Sequence, residues 1–171
     1  MLLNSPSTTL APETFAVGPT ALAEGPATLR VPGATLLVVP EADQRSANAA
    51  LKSLRGFRTD GRAVVWANLG ELAEAPHVDL GQWGRRLVEE AGAQLVVMCG
   101  PGGRDVAVGA RRAGLPLGRV PLARTNAAPP NVPGDSGTAG DAILALGIPR
   151  DSAQRLADRL ESRFSRTLTA A

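Results

Sequence analysis

Residues Gly61–Gly114 read GRAVVWANLGELAEAPHVDLGQWGRRLVEEAGAQLVVMCGPGGRDVAVGARRAG. Two continuous apolar runs, Ala63–Leu69 and Leu95–Cys99, each lead into a segment with helical spacing. Runs of this length without polar alternation are typical of strands in a parallel sheet covered on both faces. Strand, helix, strand, helix with short Gly-marked joints is the βαβ repeat, whose crossover is almost always right-handed. The first helix, Leu80–Ala91, places Leu80, Trp83, Leu87, Val88 and Ala91 on one face and stops at Gly92. Glycine is the natural residue for the left-handed position that follows a helix. The second helix, Gly103–Ala113, stops at Gly114 in the same way.

Outward from this core, Ala27–Val31 and Ala34–Val39 flank the turn dipeptide Pro32-Gly33, which predicts a β-hairpin. Gln44–Leu54 carries Ala47, Ala50, Leu51 and Leu54 at the spacing of one buried helix face, and Thr59-Asp60-Gly61 is a joint. Downstream, Arg119–Leu122 predicts a short strand and Ala142–Leu146 the last one. Asp151 is expected to cap a final helix, with Gln154 completing a capping box and Ala153, Leu156, Ala157, Leu160 and Phe164 as its buried stripe. The expected fold class is α/β, a Rossmann-like three-layer α/β/α sandwich. Its sheet is mostly parallel, with an N-terminal β-hairpin. Residues 1–26 are expected to form an extended or loosely ordered arm, 27–166 the folded domain, and 167–171 a frayed tail. Between Ala123 and Gly140 lies a Pro/Gly-rich stretch too long for an ordinary connection, which marks a lost element or a working loop.

Composition narrows the function classes. A chain of 171 residues buries a sizeable core without staples. Its single cysteine, Cys99, sits inside an apolar run, so a disulfide framework and a Cys-based metal site are excluded. Net charge is +2, lysine occurs only at Lys52, and Phe and Trp together number five with no tyrosine. Stacking platforms and a coherent basic face are therefore lacking, and no nucleic-acid partner is expected. The first residues lack a basic n-region with a long apolar core, and no apolar run approaches the ~18 residues of a membrane span. The expectation is a soluble, cytoplasmic protein with no membrane partner.

Motifs are few. Gly100-Pro101-Gly102-Gly103 stands where a phosphate-cradling turn would stand, but the dinucleotide fingerprint fails at Asp105, so a tight strand-to-helix turn is the better reading. Backbone amides there, with Arg104, still offer something to an anion. His77 has Glu71, Glu74 and Asp79 nearby in sequence, yet no second histidine exists, and it reads as a surface loop residue. Ser46, Ser136 and Ser152 lack the context of a nucleophile elbow. No Gly-x-x-x-x-Gly-Lys-Ser/Thr occurs in these residues.

Three stretches in succession carry a family resemblance. TLLVVPEADQRSANAAL (Thr35–Leu51) resembles a strand and helix reading Asp-Asp-x-Tyr-Asn-Ala-Asn-Pro-x-Ser-Met-x-Ala-Ala, with Ala42, Ser46, Ala49 and Ala50 keeping the pattern. GRAVVWANLGELAEAPHVDLG (Gly61–Gly81) resembles a strand followed by Leu-Gly-Asp-Met-x-Glu-Leu and a later His-x-x-Val-Gly. GDAILALGIPRDSAQRLADRL (Gly140–Leu160) resembles Gly-Asp-x-Val-Leu-x-Lys-Gly-Ser-Arg and its helix. Together Ala27–Phe164 is similar to the C-terminal domain of the Mur ligases, most nearly the branch that adds D-alanyl-D-alanine to the muramoyl tripeptide. The resemblance implies a domain that closes over a central ATPase domain, helping to hold ATP with magnesium and the incoming amine. Departures fall on the chemistry. The family's paired acids fall on Leu37 and Val38, its two asparagines on Glu41 and Asp43, and its Lys-Gly-Ser on Leu146, Gly147 and Ile148.

The expectation is a stand-alone, degenerate domain of this type, accessory to peptidoglycan precursor metabolism and without activity alone, with a ligase or ATPase-domain protein as partner. A small-ligand or nucleotide-binding module and a structural or interaction domain with a decayed site are the alternatives. The candidate binding residues are Glu41, Asp43, Asn68, Arg104, Gly147 and Arg150. No catalytic residue, metal ligand or covalent cofactor is assigned, and ATP with magnesium enters by resemblance only.

Overall fold

The computed structural model describes residues 26–57, 61–123 and 140–169, the last six of these by backbone alone. The expected N-terminal arm, the joint residues Thr59 and Asp60, nearly all of the Ala123–Gly140 stretch and the Phe164 side chain lie outside this description. The strands are β1 (Ala27–Val31), β2 (Ala34–Val39), β3 (Ala63–Asn68), β4 (Leu95–Cys99), β5 (Leu122–Ala123) and β6 (Asp141–Leu146). The helices are α1 (Gln44–Gly56), α2 (Gly70–Glu74), α3 (Leu80–Glu89), α4 (Gly103–Arg112) and α5 (Arg150–Thr169).

The strands form one six-stranded sheet in the order β1-β2-β6-β3-β4-β5. Among the described residues only the β1–β2 hairpin is antiparallel; every other pairing is parallel. From β2 the chain passes to β3, β4 and β5 in one direction across the sheet. Crossovers of one hand that advance in one direction place their helices on one face. Accordingly α1, α3 and α4 share a core with Leu37, Val39, Val65, Val96 and Met98. The opposite faces of the same strands, through Leu36, Val64, Trp66 and Val97, share a second core with Ala153, Leu156, Ala157 and Leu160 of α5. Helices thus lie on both faces of a mostly parallel sheet, as the uninterrupted apolar runs require. This is a Rossmann-like α/β arrangement.

β6 is the late arrival. It enters the middle of the sheet, pairing β2 from Ala34↔Asp141 to Val39↔Leu146 and β3 from Ala63↔Ala142 to Ala67↔Leu146. Its first residue is clamped. Asp141, 4% exposed, accepts a 2.8 Å hydrogen bond from the Arg62 amide and pairs with its guanidinium at 2.9 Å.

α3 and α4 approach through glycines. A Cβ on Gly109 would lie 1.8 Å from the Gly81 carbonyl oxygen, and one on Gly84 would lie 2.0 Å from that of Val106. α4 ends as expected at Gly114 (φ 98), with Leu115 N–H donating to the Ala110 carbonyl and Gly114 N–H to that of Arg111. These two bonds are the Schellman pattern.

Two expectations are corrected, and one short helix is new. The strand expected over Arg119–Leu122 is instead a 3-10 turn at Leu117–Arg119 followed by the two-residue β5, since only Met98 and Cys99 offer it a partner. α2 has no counterpart in the sequence pattern: with Gly70 first and only Leu72 buried, it has no periodic stripe to read. Asp151 does not cap α5: the helix begins at Arg150, and the Pro149 carbonyl already accepts from the Ser152 and Ala153 amides. Asp151 sits inside the first turn, where its charge suits the helix dipole. Gln154 reaches forward to Asp158 at 2.8 Å, not back to a cap. The other boundaries differ by only a residue or two.

Candidate functional site

In open α/β sheets a ligand crevice opens beyond the carboxyl ends of the strands, where neighbouring connections leave for opposite faces. Here β2 and β3 lead to α1 and α2 on one face, whereas β6 leads to α5 on the other. By that rule a crevice belongs around the end of β6, and all six candidate residues stand at this end of the sheet.

Gly147 is its centre. Its φ is 64, and its N–H donates to the Val39 carbonyl at 2.8 Å. A Cβ there would fall 2.0 Å from the Asn68 carbonyl oxygen and 2.9 Å from the Ala42 methyl. Three strand ends close on one another at this residue, so glycine is required by space as well as by backbone. Its neighbours Leu146 and Ile148, both 0% exposed, turn into the two cores, one each. No side chain of β6 or its turn therefore presents a cation here.

Asn68, at the end of β3, is half-buried and accepts a 3.1 Å hydrogen bond from the Gly70 amide through Oδ1. That bond opens α2. A Cβ on Gly100 would come within 2.6 Å of the same oxygen, so the carboxamide occupies the space between two glycine backbones. Gly100 and Gly102 both have φ 74, a left-handed backbone that favours glycine, so the turn geometry accounts for them. The Gly100–Gly103 turn is the tight strand-to-helix joint expected.

Asp43 is the N-cap of α1. Its carboxylate accepts from the Ser46 amide at 2.7 Å and the Ser46 hydroxyl at 3.2 Å. The amide, more than the hydroxyl, holds this carboxyl below its ordinary range. The reading of Asp43 as a ligand contact passes over a signal that would have found this role: an Asp just before a helical stripe is a standard cap. Glu41 and Arg104 are exposed, and Arg150 is half-buried at the start of α5. Among the described residues no ion pair joins Glu41, Asp43, Arg104 or Arg150 to one another. The structure therefore brings Gly147 and Asn68 into contact, commits Asp43 to its own helix, and leaves the other three apart. His77 is an exposed residue at φ 67, and among the described residues no three His, Cys, Asp or Glu side chains converge on a metal position.

The turn after β6 does not fit the phosphates of a nucleoside triphosphate: Leu146 and Ile148 are buried and apolar where charge is needed, and the Asn68 amide oxygen is engaged by the Gly70 amide. No helix of the described residues is long and apolar enough to cross a membrane.

No family model matches the sequence, and no curated protein matches it. Among solved structures, a crystal structure of MurF from Acinetobacter baumannii is similar, with a TM-score of 0.58 and 17% identity. The match covers 79% of this chain and 30% of that one, so the chain spans less than a third of the length of the protein it resembles. At this identity the likeness is one of fold: the α/β arrangement is Mur-ligase-like.

Proposed function

We propose that this chain is a degenerate counterpart of the Mur ligase C-terminal domain, accessory to a peptide ligase of peptidoglycan precursor metabolism and without catalysis of its own. The fold likeness to MurF over most of the chain carries this reading. It is supported by chemistry that is missing from these 171 residues. They contain no phosphate-cradling Gly-x-x-x-x-Gly-Lys-Ser/Thr, and the turn after β6 carries buried Leu146 and Ile148 where the resembled family has an ammonium and a hydroxyl. A transferring phosphoryl group needs a cradle of donors and cations. ATP and magnesium therefore belong to a separate ATPase domain, and this chain contributes a rigid wall closing against it.

The test is complementation. MurF lacking its C-terminal domain is mixed with this protein, ATP, the UDP-muramoyl tripeptide and D-alanyl-D-alanine, and phosphate release is followed. Either rescued turnover or saturable association of the two proteins supports the reading. If neither occurs, the ligase connection is lost.

A structural or interaction role unconnected with ligases is the second reading. The commitment of Asp43 and Asn68 to their own backbone favours it over a ligand-binding module. Titration with ATP and magnesium separates the two: a ligand-binding site raises the thermal midpoint with concentration, whereas the geometry described here leaves it flat.

A further inference from the structure

Among the described residues four large apolar side chains stand exposed, and three of them come from one short stretch: Val108 (44%), Leu117 (68%) and Leu122 (51%). Single exposed apolar residues are ordinary, but a group of them marks a contact surface. Val108 and Leu117, with Leu115 and Pro116, line an open depression of about 440 Å³ beside the last turn of α4, and Arg111 and Arg112 complete its wall. Both arginines are exposed, and neither takes part in an ion pair among the described residues; the same holds for Arg104 and Arg119 nearby in sequence. The helix dipole favours cations in this turn. It supplies no reason for Val108 and Leu117 to face water.

α4 spans about 15 Å away from the Gly100–Gly103 turn, so the depression belongs to the other end of the sheet from the β6 crevice. We propose that it docks an acidic segment of a partner protein, with an apolar side chain seated against Val108, Leu115 and Leu117 and flanking carboxylates paired with Arg111 and Arg112. The depression is open, and its Arg111 and Arg112 wall beside Val108, Leu115 and Leu117 matches carboxylates that flank an apolar side chain. A two-fold contact with a second copy would set the arginines against their own kind, which costs energy. The proposal does not depend on the ligase reading.

The experiment follows the anisotropy of a fluorescein-labelled Glu-Asp-Leu-Leu-Asp-Glu peptide titrated with the full chain. Controls are the Lys-Lys-Leu-Leu-Lys-Lys peptide, phosphatidylglycerol vesicles and gel filtration of the protein. The acidic peptide is expected to bind saturably and the basic one not to bind. The double variant Arg111→Glu/Arg112→Glu should weaken binding by roughly tenfold or more. Leu117→Ser should also weaken it, while Arg85→Glu, a charge reversal at an exposed position of α3, should not. Circular dichroism confirms that each variant remains folded. Four results overturn the proposal: absence of acidic-peptide binding, indifference to the double reversal, binding to the vesicles in its place, or a dimer that the double reversal disperses.

Discussion

Gly109→Ala turns the packing of α3 on α4 into a sign test. In a free helix interior this substitution stabilises by about 1 kcal/mol, because alanine gives up less backbone entropy than glycine on folding. Here the new methyl would sit 1.8 Å from the Gly81 carbonyl oxygen, against the 3.0 Å that real contacts respect. Both partners are helix backbone, so no side chain can rotate away. The helices must part by roughly an ångström, and a gap of that size already forfeits a quarter to a half of each affected contact. Trp83, Leu87, Val106 and Ala110 meet in the same core and would share the loss. Overpacking costs about 1–3 kcal/mol, and a rigid backbone contact belongs at the upper end. After the helix gain is deducted, a net loss of roughly 1–2 kcal/mol remains, or a fall of roughly 2–8 °C in thermal midpoint for a chain of this size. Gly56, at the end of α1, has nothing within 4 Å of its would-be Cβ and serves as control. Gly56→Ala should be stabilising by about 0.4–1 kcal/mol. Urea denaturation of the two variants decides the matter: a Gly109→Ala protein as stable as the parent refutes the contact between the helices.

Asp141→Ala breaks the buried pair with Arg62 and should cost about 3–5 kcal/mol in denaturant unfolding. Asp141→Asn keeps an acceptor for the Arg62 amide and should lose clearly less; equal losses would show that the hydrogen bond to the backbone carries nothing. Asp43 and Glu90 have folded-state pKa values below their ordinary 3.8 and 4.5, through Ser46 and Arg86 respectively. Their stabilisation is therefore complete above those ordinary values and disappears as pH falls through the lowered ones. Asp43→Asn, which still caps, should leave the neutral thermal midpoint nearly unchanged and flatten its acid decline; an unaltered acid limb would contradict the cap. Burial pushes the Cys99 thiol up, against a smaller opposing contact with Trp66, and the residue is 1% exposed. Ellman's reagent should react with it only as fast as the protein opens, and prompt labelling of the native protein would overturn that burial.

What was legible in the sequence was what is local. The strands from β1 to β4 and β6 are apolar runs, and Gly92 and Gly114 end helices wherever the chain carries them. β5 was misplaced because two residues have no pattern; their strand character comes from Met98 and Cys99, distant in sequence. The position of β6 between β2 and β3 is likewise a property of pairing across the chain, invisible to any window. At the candidate site the difficulty is chemical ambiguity. Asp43 and Asn68 are expected as ligand contacts, but the oxygens that suit a ligand also suit a nearby backbone amide, and the structure shows the second use. Gly81, Gly84 and Gly109 look like unremarkable helix-weakening residues until the helices they join are in view.

The insertion of β6 also sets the order in which the protein can be made. A ribosome delivers β1 to β5 first, and at that stage β2 and β3 each hold an open edge facing a vacant slot one strand wide. Neither half-sheet is finished until Asp141–Leu146 emerges and zips against both neighbours at once. A nascent chain halted anywhere before Asp141 therefore displays two sticky central edges, inviting degradation or aggregation. By the same logic, a fragment ending before Asp141 should be rescued by a separately synthesised peptide carrying β6 and α5. The two pieces would make a split protein whose reassembly reports on their meeting.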